Sequence, residues 1–481
     1  MAGLHEQNLE LNRVEHELQH AHLRSMPRCL GVVLSNRCNI GCVHCYQPKN
    51  GDSLLEPRPI GEALRREFAS LYPYVATVRL QGGELFAIPG FSEMLDDVGA
   101  VVDRPIVSIS TNATLIDEGW AERIVRTPLQ NVTVSIDAAH PDTFARLRRG
   151  SRLEDVLANI RRIQRWKEKL GSKYPYIDSF FVVMRSNFRE IPEYVRMMRE
   201  LGLLAVSLQT LEITPENSSR FPMLGQTEAI TDGAEVLELH RLVRETMERE
   251  RPRILIRTSG LTILFEQHGL DAEFVAEEEH GLYPDADTAT TAGRELCPNP
   301  WTTLFVIENG DVHLCFLSEP VGNLYEEPLI SIWNSPRAVA KRSRMATGRY
   351  RASGCSPQWC GWREGSKVEG PSGERRRQAL LEFETLSARA FGLLRDTTES
   401  CPELASVRRK LQDRSGRISE LEALFQELCR TNQETNDRGQ AHIDQLESYV
   451  RQLESEVERL RHADLGLWVQ AWSRLKGWSP R

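Results

Sequence analysis

The sequence predicts an α/β chain whose main domain is a parallel sheet with crossover helices, curled into a full or partial barrel. Two observations carry this expectation. From Cys29 to about Ile213 six short β-branched runs alternate with helical stretches, and the polar, chemistry-bearing residues cluster just past the ends of those runs. At 481 residues and 40% hydrophobic, the chain can build two folded domains plus extensions.

Leu4, Leu11, Val14, Leu18 and Ala21 are spaced to share one face of an amphipathic helix within residues 1–28. His16 and His20 lie one turn apart there, and with His5 and His22 nearby they read as parts of its solvated face. Strand-like runs at 29–35, 76–81, 106–110, 131–137, 177–184 and 204–211 alternate with helical patterns at 63–71, 91–102, 153–170 and 190–201, and set the main domain at 29–230. A connection follows at 231–293, helical from 234 to 251 and loop-like from 280 to 293. Segment 294–363 holds four cysteines and reads as a small α+β domain. Residues 364–398 read as a linker and helix. The last segment, 399–481, reads as a coiled-coil tail, with Ile443, Leu446, Val450, Leu453, Val457 and Leu460 at alternating spacings of three and four. Such a tail serves association, and self-association is the simplest expectation.

A formal charge of −8 leaves no basic stripe for phosphates, so no nucleic-acid partner is expected. No run of eighteen apolar residues predicts a transmembrane segment, and the charged first 25 residues do not read as a signal peptide, so a cytoplasmic protein is expected. In a reducing compartment the ten cysteines are expected to be metal ligands or redox groups before disulfides.

Directly after the first strand, residues 35–46 read Ser-Asn-Arg-Cys-Asn-Ile-Gly-Cys-Val-His-Cys-Tyr, which places Cys38, Cys42 and Cys45 in one loop. Three thiolates can hold three irons of a cubane and leave the fourth open to a non-protein ligand. The alternative is structural zinc, which takes four ligands, and His44 is the local candidate for the fourth. The loop resembles the C-x3-C-x2-C signature of the radical S-adenosylmethionine superfamily, with His44 where that family usually has an aromatic residue. The resemblance implies a partial (β/α)6 TIM-like barrel and a catalytic 4Fe-4S cluster on the three cysteines. S-adenosylmethionine would bind its open iron. An electron, from a donor such as flavodoxin or ferredoxin, would cleave it to methionine and a 5′-deoxyadenosyl radical that abstracts hydrogen from substrate.

The second strand ends in Gly82, Gly83 and Glu84, which resemble the family's Gly-Gly-Glu motif that receives the methionyl amino group. Ser110 and Asn112 close the third strand, and Ser135 and Asp137 the fourth. These short polar groups suit ribose hydroxyls and a carboxylate, and equally suit caps of the following helices. Residues 147–150, Leu-Arg-Arg-Gly, resemble a family segment whose arginine faces the cofactor carboxylate; Arg148 is expected in that role.

Cys297, Cys315, Cys355 and Cys360 form a second group, whose spacing suits zinc and an iron-sulfur cluster equally. Around them Asn309-Gly310, Gly322-Asn323-Leu324 and Ile332-Trp333-Asn334 resemble the SPASM and twitch extension of the superfamily, in its shorter form with one auxiliary 4Fe-4S cluster. The resemblance spans about residues 29–363 and implies electron transfer at the second cluster. It further implies net oxidation of a small molecule resembling a sugar or aminocyclitol. Modification of a peptide or protein side chain is the alternative substrate class, and a zinc-stabilised, non-enzymatic scaffold is a third reading. Cys29, Cys401 and Cys429 remain as small hydrophobes or surface thiols.

Overall fold

Val78 and Leu80 are buried on either side of exposed Arg79, and this two-residue rhythm decides which face of the sheet is covered. The computed structural model describes residues 4–47, 61–101, 105–127, 129–251, 253–271, 297–316, 318–355, 375, 377–383 and 385–386. The chain divides into two compact units, Met1–Phe383 and Glu384–Arg481, and the sheet with its helices lies in the first. The expected coiled-coil seam, Cys360, and most of the linker and helix at 364–398 lie outside the described residues.

In chain order the elements are α1 (Leu4–Glu17), β1 (Cys29–Val33), β2 (Gly41–Cys42), α2 (Glu62–Ala69), β3 (Thr77–Gln81), α3 (Phe91–Gly99), β4 (Ile106–Thr111), α4 (Glu118–Arg126) and β5 (Leu129–Ser135). Next come α5 (Pro141–Leu147), β6 (Arg148–Arg149), α6 (Leu153–Leu170), β7 (Tyr176–Val183), α7 (Ile191–Glu200), β8 (Ala205–Thr210), α8 (Pro215–Arg220), α9 (Leu224–Thr227), α10 (Gly233–Glu250) and β9 (Leu255–Gly260). The last are α11 (Thr262–Gln267), α12 (Asn299–Thr302), β10 (Thr303–Val306), β11 (Asp311–His313), β12 (Gly322–Asn323), α13 (Leu329–Trp333) and α14 (Pro336–Ala346). Among the described residues ten strands form one open sheet in the order β12-β11-β10-β1-β3-β4-β5-β7-β8-β9, and β2 pairs with β6 apart from it. From β10 to β9 every pairing is parallel, whereas β11 runs antiparallel to both β10 and β12.

One face carries Leu30, Val32, Val78, Leu80, Ile109, Val132 and Val206 into the main core, together with Phe68, Met94, Ile124, Ile160 and Val195 from the crossover helices. The opposite face points away from those helices. By alternation it carries Arg79, Ser108, Thr133, Asp178, Ser207 and Arg257, a polar set.

The partial barrel is larger than its sequence pattern. Segment 231–293, expected as a connection, contains α10 and then β9, a further parallel strand on β8. Arg257, Thr258 and Ser259 interrupt its apolar character, which hid it. The cysteine-rich segment also joins the main sheet, because β10 lies parallel to β1 with Cys29 opposite Thr303 and Val32 opposite Val306. At the N-terminus α1 stops at Glu17, short of the expected Ala21, and Gln19 takes φ 59°, a turn conformation that ends a helix. The rings of His16 and His20 meet Trp301 and Phe383, at 5.4 and 4.7 Å between centroids, where a solvated face was expected.

Arg342 on α14 fastens these pieces. It is fully buried, lies 4.3 Å over the Trp333 ring, and donates to the carbonyls of Pro300 (2.7 Å), Trp333 (2.8 Å) and Ala21 (3.1 Å). Burial pushes its pKa down to about 9, and nearby Glu15 opposes the shift. Arg342→Met would keep much of the packing but leave three carbonyls without their donor. A loss of roughly 3 kcal/mol is expected, read as a lowered denaturation midpoint at unchanged slope.

Candidate functional site

The loop after β1 is built by backbone contact with the turn after β3. Leu34 N donates to Gln81 O (2.8 Å), Gly83 N to Ser35 O (2.7 Å) and Glu84 N to Arg37 O (2.9 Å). An added Cβ at Gly82 would lie 2.7 Å from Ser35 O, and one at Gly83 only 2.0 Å from Arg37 O. The two glycines therefore let the turn approach the cysteine loop, a closer reason for their presence than approach to a ligand.

Cys38 leaves this contact, and Asn112 Nδ2 donates to its sulfur at 3.6 Å and to Asn39 Oδ1 at 3.0 Å. Cys42 lies in β2, opposite Arg148 of β6, and Arg148 reaches its sulfur at 3.8 Å. On α8, Arg220 donates to Cys42 O (3.1 Å) and Gln47 O (3.3 Å), and Asn217 to His44 O (3.3 Å). The loop is thus held from three sides by backbone, amide and guanidinium groups.

The expected cofactor residues fall into two networks. Glu84 is fully buried and its carboxylate accepts from Thr111 Oγ1 (2.7 Å), Asn112 N (2.8 Å) and Phe86 N (3.3 Å). Burial pushes its pKa up to about 7 against those hydrogen bonds. Asp137, also fully buried, accepts from Arg148 Nε (2.6 Å) and Val182 N (2.8 Å), and His44 Nε2 lies 3.2 Å from it. Burial alone would raise the Asp137 pKa, but Arg148 and then His44 hold it well below the usual carboxylate range. Asp137, Arg148 and Cys42 thereby form one chain of contacts. Ser110 and Ser135 lie half-buried on the inward face at the ends of β4 and β5.

Thr111, Asn217 and Arg220 were absent from the sequence expectation. The capping box of Thr214 and Asn217 is legible as a helix start, yet nothing local shows that the same asparagine also reaches the cysteine loop.

The donor set fits a cluster with an added ligand. His44 Nδ1 and Gln47 Oε1 are buried beside the triad with no hydrogen-bond partner among the described residues, as atoms left for a ligand would be. Among the described residues no three His, Cys, Asp or Glu side chains gather closely enough to hold a single metal ion. Thiolates bound to separate irons need no such gathering.

Of the second group, Cys297 is buried and Cys315 and Cys355 are half-buried. Asn299 Nδ2 donates to Cys315 Sγ (3.6 Å), Cys355 Sγ lies 3.6 Å from Met345 Sδ, and an isolated bridge pairs Ser318 with Cys355. Their common neighbour is Lys341, whose charge interacts with all three thiols. Aromatic rings next to one cysteine of each group meet. Tyr46, next to Cys45, meets Phe316, next to Cys315, at 6.3 Å, and Phe316 meets Phe305 at 5.2 Å.

Residues 32–168 match the family model of the radical SAM superfamily, and residues 297–360 match that of an iron-sulfur cluster-binding domain, SPASM. Among curated proteins, the GTP 3′,8-cyclase of Mycolicibacterium smegmatis is 32% identical over 136 residues, covering 27% of this chain and 37% of the relative. A probable GTP 3′,8-cyclase of Methanocaldococcus jannaschii is 24% identical over 193 residues, 39% of this chain and 59% of the relative. The chain thus spans less than two thirds of the length of these relatives. Among solved structures, Streptococcus suis SuiB bound to S-adenosylmethionine superposes with a TM-score of 0.51 at 17% identity, over 70% of this chain and 72% of SuiB. That likeness is one of fold.

Proposed function

This chain belongs to the radical S-adenosylmethionine superfamily and carries a SPASM domain behind the core, and from that premise we propose that it oxidises a small hydroxylated molecule, resembling a sugar or aminocyclitol, by hydrogen abstraction. Its cofactors are a catalytic 4Fe-4S cluster, an auxiliary cluster and S-adenosylmethionine. When bound, the first cluster supplies the electron that cleaves the sulfonium, and from that cleavage comes the power to remove hydrogen from carbon.

The residues of this chain would divide the remaining work. Cys38, Cys42 and Cys45 would hold the first cluster, while Asn112 and Arg148 donate toward two of the sulfurs and so make added negative charge there easier to bear. Glu84 and Asp137 lock the loop against β4 and β7, and His44 and Gln47 keep free polar atoms beside it. Cys297, Cys315, Cys355 and Cys360 would hold the second cluster, which when bound would supply an acceptor for the second electron of a net two-electron oxidation.

The observation that supports the substrate class is the inward face of the sheet. Asn131 and Arg257 both donate to Asp178, at 3.2 and 3.3 Å, and Arg79 is exposed with no partner among the described residues. With Ser108, Thr133 and Ser207, this surface offers donors and acceptors that suit hydroxyl and amino groups on a compact molecule.

In the test, anaerobic protein receives dithionite, S-adenosylmethionine and carbon-deuterated sugars, aminocyclitols or peptides. Deuterium should appear in 5′-deoxyadenosine with a hydroxylated small molecule, and the product should be two hydrogens lighter. Transfer from peptides alone would overturn the substrate assignment and favour side-chain modification.

A further inference from the structure

Lysine is rarely buried without a partner of opposite charge, because taking an ammonium out of water costs several kcal/mol. Lys341 on α14 is only 4% exposed. Among the described residues no carboxylate lies within ion-pair distance of it. Its Nζ donates to the carbonyl of Ser353, two residues before Cys355. One turn along the same helix, Met345 touches the Cys355 sulfur at 3.6 Å, so this face of α14 is turned toward the second cysteine group. The charges that act on Lys341 are Cys355, Cys315, Glu319 and Cys297, and the three cysteines among them are all the described members of that group. Burial holds the lysine pKa below its ordinary value, and those groups oppose the shift.

We propose that Lys341 is the built-in countercharge of the second cluster and raises its midpoint potential. The proposal rests on the assignment of Cys297, Cys315, Cys355 and Cys360 as cluster ligands. Four thiolates around a cubane leave a net negative centre that becomes more negative on reduction. A fixed positive charge in a medium of low dielectric stabilises the reduced form more than the oxidised one. The effect suits a cluster that must accept an electron from a substrate, and Lys341 acts through the cluster without touching the reacting atoms.

The experiment is a potentiometric titration of anaerobically reconstituted full-length protein, followed by electron paramagnetic resonance, with iron counted in every sample. Lys341→Met should make the second cluster at least tenfold harder to reduce, a shift of about 59 mV to more negative potential for one electron. The first cluster should not move, and Lys341→Arg should keep the original value. Should Lys341→Met lose the second-site iron while Lys341→Arg keeps it, the need for positive charge is supported in another form. An unmoved second midpoint in Lys341→Met, an equal shift in Lys341→Arg, or loss of iron from both would overturn the proposal. Iron near four per chain in the unaltered protein, with zinc in the second site, would overturn the ligand assignment itself, a result distinct from the others.

Discussion

Cys42→Ala should reduce formation of 5′-deoxyadenosine to background while leaving the fold and the second cluster in place. The alanine keeps the backbone that pairs Cys42 with Arg148 and accepts from Arg220, so the loop retains its scaffold. What it removes is one of three thiolates, and two cannot hold a cubane with a single open iron. Arg148 stays paired with buried Asp137, so no uncompensated charge is left behind. Iron should fall from about eight to about four per chain, with the remaining spectrum that of the auxiliary cluster. Chromatography of the dithionite-reduced reaction decides the matter, and undiminished 5′-deoxyadenosine would remove Cys42 from the site.

The second large effect is expected at a residue with no functional group. Gly83→Ala would place a methyl carbon 2.0 Å from Arg37 O and 2.8 Å from Asn36 O, both backbone atoms that no side-chain rotation can clear. The turn or the loop must shift, and the bonds from Gly83 N to Ser35 O and from Glu84 N to Arg37 O weaken together. Roughly 2–4 kcal/mol of stability should be lost. The first cluster should load poorly, although every cysteine is present. Gly233→Ala is the control: it begins α10 with nothing within 4 Å of the added carbon, and it should be neutral or slightly stabilising. Equal iron content and equal thermal stability in the two variants would show that the turn tolerates displacement.

The contrast between these residues explains what could be read from the chain alone. The spacing of Cys38, Cys42 and Cys45 is a local property, legible without knowing which distant residues hold the loop. The strand runs were legible for the same reason, since a β-branched run is written within five or six residues. Glu84 and Asp137 were legible as polar groups at strand ends. Their partners were not, because Thr111, Val182 and Arg148 arrive from other strands and turns. Strand β9 was missed because its polar residues Arg257, Thr258 and Ser259 outnumber Leu255 and Ile256 in so short a run, and only pairing with β8 makes it a strand. Lys341 and Arg342 read as ordinary basic residues of a helix. Their burial comes from where α14 packs, on the second cysteine group and on the segment before β1.

The parallel pairing of β10 with β1 also sets an order of events during synthesis. Cys29 must wait for Thr303. Ribosomes add about 5–20 residues per second, so the edge of β1 stands bare for tens of seconds after β3 could first cover its other side. A bare strand edge is a template for a wrong neighbour, and here it lies directly before the loop that carries Cys38. Cys38, Cys42 and Cys45 therefore leave the ribosome well before Cys297 and Cys315, while the edge of β1 beside them still lacks its second neighbour.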